Sequence, residues 1–216
     1  MLRITDILDK AQTYLEPEEL EMIQKAYIYS ATVHQGQVRL SGEPYLTHPM
    51  EVAGILVDMK LDAATIISGL LHDTIEDTLT TKEQIEREFG KDTAFLVSGL
   101  TKLSRISFGS QEERQAENFR KMILAMSSDI RILLVRLADR IHNMRTLQYQ
   151  KPERRVYISR ETMDVYAPLA NRLGINWMKM ELEDLAFQYL WPEAYEEIAT
   201  RVAKSQESRN RYTEEV

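Results

Sequence analysis

Cysteine is absent from the 216 residues of this chain. That excludes disulfides and thiolate metal sites, so any metal must sit on His, Asp or Glu, a nitrogen/oxygen shell that suits Mn, Fe or Zn. Glycine and proline are scarce, at 8 and 6 residues. Period-2 alternation is nearly absent, while apolar residues recur at helical spacing throughout; this predicts an all-α fold. No run of about 18 apolar residues exists to span a membrane. The opening residues 1–10 lack the apolar core of a signal peptide, so a cytoplasmic location is expected. A basic excess is also missing: 27 Lys and Arg face 34 Asp and Glu, a net charge of −7. The two signs alternate along the chain instead of forming a basic stripe, which argues against a nucleic-acid partner. An acidic total still permits a small anionic ligand, held by local basic residues or by a metal.

What is present is a well-stocked helical core. Hydrophobic residues make up 44% of the chain, enough for one domain, or one and a small part of another. Pro17 suits the first position of a helix carrying Leu20, Ile23, Tyr27 and Ser30 on one face. Val52, Ile55, Leu56 and Met59 repeat the pattern after Pro49. Asp62 is placed to cap a helix over 63–75. Thr80 and Glu83 have the spacing of a capping box, opening a helix that should stop at Gly90. Further helices are predicted near 92–103, 112–125, 130–149, 152–173 and 177–190, with a last one starting at Pro192. Loop formers concentrate in 36–44 and 104–111.

Two stretches carry the chemistry. The apolar run 66–71 leads into His72-Asp73-Thr74-Ile75-Glu76-Asp77. On a continuous helix, His72 and Glu76, and Asp73 and Asp77, are four apart and share one broad face. Four ionisable groups next to a buried turn are costly unless neutralised, and a divalent cation would do that. A solvated polar helix end reads the same way on this segment alone. The second stretch repeats the theme: the apolar run 133–138, broken only by Arg136, leads into Asp139-Arg140-Ile141-His142-Asn143-Met144-Arg145-Thr146. Asp139, His142, Asn143 and Thr146 share a stripe. His48, beside Pro49, falls close to a helix start. Two His and two Asp, in the order His48, His72-Asp73, Asp139, form a plausible metal set that leaves positions open for water and substrate.

That order resembles the HD phosphohydrolases. The surrounding residues narrow the resemblance: Arg39-Leu40-Ser41-Gly42-Glu43-Pro44-Tyr45, His48-Pro49, residues 72–78, residues 137–146, and Tyr166-Ala167-Pro168-Leu169-Ala170-Asn171-Arg172-Leu173-Gly174. Together they are similar to the N-terminal hydrolase domain of the RelA/SpoT (Rel) family, from about residue 26 to residue 189. The resemblance implies an HD-domain helical bundle of roughly ten helices over 1–190. It implies that 191–216 forms a C-terminal helix leading towards a synthetase domain, followed in long members by regulatory modules. It implies His48, His72, Asp73 and Asp139 as ligands of Mn²⁺, and Glu76 and Asp77 as the acidic pair that hydrolase-competent members keep. Arg39, Ser41, Asn143 and Thr146 would line the nucleotide pocket. The implied reaction is hydrolysis of (p)ppGpp to GDP or GTP plus pyrophosphate, which sets the alarmone level in the stringent response. Leu40 stands where relatives often carry Lys, removing one basic contact. Two other readings remain at this point: an HD enzyme acting on a different nucleotide, and a non-catalytic regulatory domain of a synthetase.

Overall fold

The long helices of the first unit in the computed structural model each bury an apolar face. The structure describes residues 2–104 and 129–202. The predicted helix over 112–125, most of the 104–111 loop and the chain beyond 202 lie outside the described residues. Among the described residues the protein is all-α, and strand-type pairing is limited to an isolated bridge between Val38 and Pro44. No helix among them is long and apolar enough to cross a membrane.

The chain divides into two units, Met1–Tyr149 and Gln150–Val216. The first contains α1 (Ile4–Ala11), α2 (Pro17–Val33), α3 (Thr47–Asp58), α4 (Ala63–Leu71), α5 (Thr74–Asp77), α6 (Lys82–Ser104) and α7 (Ile130–Arg145), then a 3₁₀ turn, Leu147–Tyr149. Helices α3 and α4 form the centre. Helix α3 packs on α4 and α7, while α2 and α6 cover α4. Residues Val52–Val57 of α3 are all buried, as are Ile66, Leu70, Leu137 and Ile141 opposite them. A helix apolar on every side belongs inside a bundle, and here its N-terminal turn carries His48 into the interior.

Local chemistry sets the helix ends. Pro17 is the first residue of α2. Asp62 caps α4, accepting a hydrogen bond from Thr65 N at 2.9 Å. The capping box forms one residue later than expected, between Thr81 and Gln84. Helical residues 82–104 are interrupted at Gly90, whose φ of 87° places the predicted stop where an L side chain would be strained. Arg131 joins three segments, bonding Asp129 at 2.7 Å and Asp92 at 2.7 and 2.8 Å, with Asp62 at 3.5 Å.

The helix expected over 63–75 is not continuous. Helix α4 ends at Leu71 and the short α5 begins at Thr74. Thr74 Oγ1 donates to the Leu71 carbonyl at 2.7 Å, and His72 Nδ1 lies 2.8 Å from the Gly69 carbonyl. These side-chain bonds replace the main-chain ladder at the break. Gly69 itself lies where a Cβ would meet Leu56 Cδ1 at 2.5 Å, so its bare backbone lets α3 and α4 approach closely.

The second unit has α8 (Pro152–Glu161), a π turn (Thr162–Tyr166), α9 (Ala167–Arg172) and α10 (Asn176–Leu190), with helical residues again over 192–202. The sequence predicts one helix over 152–173. Pro168 interrupts it, because it has no N–H to return to the Asp164 carbonyl. The chain takes up an extra residue instead, and Ala167 N bonds back to Thr162 O.

Candidate metal centre and active site

The first turn of α3, the end of α4 and the middle of α7 deliver His48, His72 and Asp139 to one point. All three are buried, and one ligand atom from each lies within 4.8 Å of the others. His48 Nε2 is 3.1 Å from His72 Nε2 and 3.2 Å from Asp139 Oδ1. Asp73, at the break between α4 and α5, brings Oδ2 to 3.0 Å from His72 Nε2 and 3.7 Å from His48 Nε2. The four residues predicted as a set are therefore drawn together, with Asp73 the least enclosed of them.

The donor chemistry fits a divalent cation. A metal bound at about 2.0–2.2 Å by nitrogen and oxygen puts neighbouring donors roughly 3.0–3.6 Å apart, close to the spacing seen here. His72 Nδ1 faces only the Gly69 carbonyl, so it carries the proton and leaves the Nε2 lone pair open. With each imidazole holding its single proton on Nδ1, two Nε2 lone pairs and two carboxylates would face a cation at this point. His48, His72 and Asp139 could hold a metal ion, and Asp73 stands beside them.

Without a metal, protons do part of that work. Burial lowers the His72 pKa, but the carboxylates of Asp73 and Asp139 and the Gly69 carbonyl outweigh it and raise it to about 9. Burial pushes Asp73 up, yet the His72 charge and hydrogen bond hold it well below the usual carboxylate range. Asp139 behaves alike: burial is opposed by the bond from His48 and by the charges of His72, His48 and Arg136. Burial, then the His72 charge, lowers the His48 pKa against the pull of Asp139 and Asp73.

The acidic pair lies at the solvent edge. Glu76 and Asp77 are exposed on α5, beside a cleft of about 610 Å³ whose walls include Tyr29, Gln37, Thr78 and Thr80. Asp77 is tied to the interior through Tyr45, whose hydroxyl bonds both Asp73 Oδ2 and, at 2.8 Å, Asp77 Oδ2. Burial, followed by the negative charge of Asp73, raises the Tyr45 pKa far above its ordinary value, so the phenol remains a donor. His34 stacks on the Tyr45 ring, with centroids 4.5 Å apart.

Three of the four residues predicted for the nucleotide also meet. Arg39 Nη2 donates to Asn143 Oδ1 at 3.4 Å and to Thr146 Oγ1 at 3.3 Å. Asn143 Nδ2 donates to Asp139 Oδ1 at 2.6 Å, so this trio adjoins the proposed ligand set. Ser41 is engaged within its own loop, with Glu43 at 3.1 Å, and Leu40 is exposed.

Three contributors stand in the motifs read from the sequence but are given no site role there. Tyr45 has the signal of standing three residues before His48. Arg136 interrupts an apolar run, and it bonds Asp139 Oδ2 at 3.2 Å and the Leu100 carbonyl at 2.9 Å. His142 is buried on the Asp139 stripe with Nδ1 only 2.7 Å from His48 Nδ1. Its pKa falls to about 3, chiefly through burial and then the nearby His48 and Arg39.

A helical bundle that converges two histidines and an aspartate in this way is a candidate metal-dependent phosphohydrolase. The chain belongs to the HD domain family, whose model matches residues 26–176. It is 57% identical over 205 residues to a GTP pyrophosphokinase of Myxococcus xanthus, covering 94% of this chain and 27% of that protein. It is 48% identical over 205 residues to the bifunctional (p)ppGpp synthase/hydrolase SpoT of Escherichia coli K12, covering 95% of this chain and 29% of that protein. The chain thus spans less than a third of these relatives. Among solved structures it is similar to a metazoan ortholog of SpoT described as hydrolyzing ppGpp. That match has a TM-score of 0.54 and 26% identity, and covers 81% of this chain and 96% of the other.

Proposed function

We propose that this chain is a Mn²⁺-dependent (p)ppGpp 3′-pyrophosphohydrolase. His48, His72, Asp73 and Asp139 are the proposed ligands, and Glu76 and Asp77 the proposed catalytic pair. The observation that carries the reading is the junction of three groups. The His48–His72–Asp139 cluster is linked through Asp73 and Tyr45 to Asp77, and through Asn143 to Arg39 and Thr146. The relatives named for making or hydrolysing ppGpp support it.

A divalent cation supplies Lewis acidity and makes water a stronger acid when bound. The chain's own residues do the rest. Asp77 and Glu76 orient the attacking water and accept its proton, a role suited to carboxylates at the solvent edge. The Tyr45 hydroxyl fixes the Asp77 carboxylate relative to Asp73. Arg39 holds the nucleotide by charge or by stacking on the base, with Asn143 and Thr146 setting the guanidinium plane. Ser41 is proposed as a further nucleotide contact from the neighbouring loop. Water adds to phosphorus, the 3′ ester bond breaks, and a proton passes to the departing 3′ oxygen, giving GDP and pyrophosphate. We further propose that residues 1–190 form the hydrolase domain and that 191–216 connects it to a synthetase in a longer, cytoplasmic chain.

Incubating the purified chain with ppGpp and Mn²⁺, with nucleotide products separated by ion exchange, tests the reading. GDP and pyrophosphate in equal amounts are expected. Turnover of other nucleotides alone would assign a different HD phosphohydrolase, and ppGpp binding without turnover would assign a regulatory domain.

A further inference from the structure

His142 contacts the proposed metal centre from outside it. Its Nδ1 lies 2.7 Å from His48 Nδ1, with the ring centroids 4.9 Å apart and the planes inclined by 35°. His48 and His142 are 2% and 6% exposed, so water does not compete for this contact. Two ring nitrogens at that distance share one proton: two protons would collide, and none would set two lone pairs against each other. A ring that offers Nε2 to a cation must carry its proton on Nδ1. His48 is then the donor and His142 the acceptor, with the His142 proton on Nε2.

We propose that His142 is a positioning residue for the metal centre, accepting the His48 Nδ1 proton and so fixing the tautomer and ring plane in which His48 presents Nε2. The Gly69 carbonyl does the same for His72, at 2.8 Å from its Nδ1. The two ligand imidazoles are thus oriented by different means, one by main chain from its own helix and one by a side chain from α7. Outer partners of this kind commonly govern metal affinity. This inference rests on the reading of His48 as a ligand.

The full chain tests it, with free Mn²⁺ measured by electron paramagnetic resonance during titration. H142L removes the acceptor at similar volume and is expected to weaken Mn²⁺ binding about 10- to 100-fold. H142N places Oδ1 near the lost Nδ1 and is expected to restore most of that affinity. Circular dichroism confirms that each variant is folded. Independently of any variant, ¹⁵N-histidine spectra of the Zn²⁺-loaded wild type are expected to show His48 protonated at Nδ1 and His142 at Nε2; the chain has only four histidines to assign. Wild-type affinity in H142L, H142N as weak as H142L, or a proton on His142 Nδ1 would each overturn the positioning role alone. Failure of the wild type to take up any metal would overturn the ligand reading with it.

Discussion

As a proposed ligand, His72 would meet two opposite demands: it must be neutral to hold a cation, yet Asp73 and Asp139 draw it towards its charged form. Its ordinary pKa of 6.5 is raised to about 9 in the metal-free fold. A raised pKa contributes stability that is complete below pH 6.5 and disappears as pH climbs through about 9. Metal-free protein is therefore expected to lose stability between about pH 6 and about pH 9, measured by urea denaturation. A cation must displace the same proton, so metal uptake in this window should release acid and tighten as pH rises. Calorimetry in buffers of different ionisation enthalpy checks that, and pH-independent uptake would contradict it. Under the proposed function the carboxylates divide by role. D139A removes a buried oxygen from the ligand cluster and should weaken metal binding by at least about 100-fold. D77A alters a carboxylate outside it and should keep metal while cutting ppGpp turnover by about 10²- to 10⁴-fold. Equal metal loss in both variants would reject the division. The convergence of His48, His72, Asp73 and Asp139 was legible because the possible ligand types are few in a chain without cysteine, and because their motifs stand in a specific order. Tyr45 and His142 were less so: a phenol or imidazole that touches another side chain looks, in sequence, like any core aromatic.

At the scale of elements, helices with a buried face were legible from period alone. The caps at Pro17 and Asp62 were legible because one residue type performs one local task. The break between α4 and α5 was not. Apolar spacing continues through residue 75, and the interruption comes from Thr74 and His72 bonding the main chain behind them. Glu76 and Asp77 consequently sit on a separate turn rather than extending one helical face from His72. Gly90 shows the opposite case, a stop signal visible in sequence and enforced by its φ of 87°. No neighbouring atom lies within 4 Å of a Cβ built there, so the cost of G90A is conformational. With ψ at 168° the backbone lies in the extended positive-φ region that glycine alone adopts readily, so chemical denaturation of G90A is expected to show a loss of about 1–3 kcal/mol. Metal binding should be unchanged, since Gly90 contributes no atom to the His48–His72–Asp139 cluster.

For the molecule as a whole, every proposed ligand belongs to the first unit. Saturating metal should raise the melting temperature as its concentration increases, and a chelator should reverse the shift. Uniform helical periodicity made the all-α class readable, but nothing in it reports which distant helices meet. The His48–His142 contact spans 94 positions. A grip assembled from partners so far apart along the chain is expected to form late, once the intervening helices have packed. During refolding the ion therefore finds nothing to grasp until most of the bundle has assembled. In stopped-flow experiments Mn²⁺ is expected to leave the refolding rate almost untouched and to slow unfolding, acting as a latch on the finished fold rather than a seed for it.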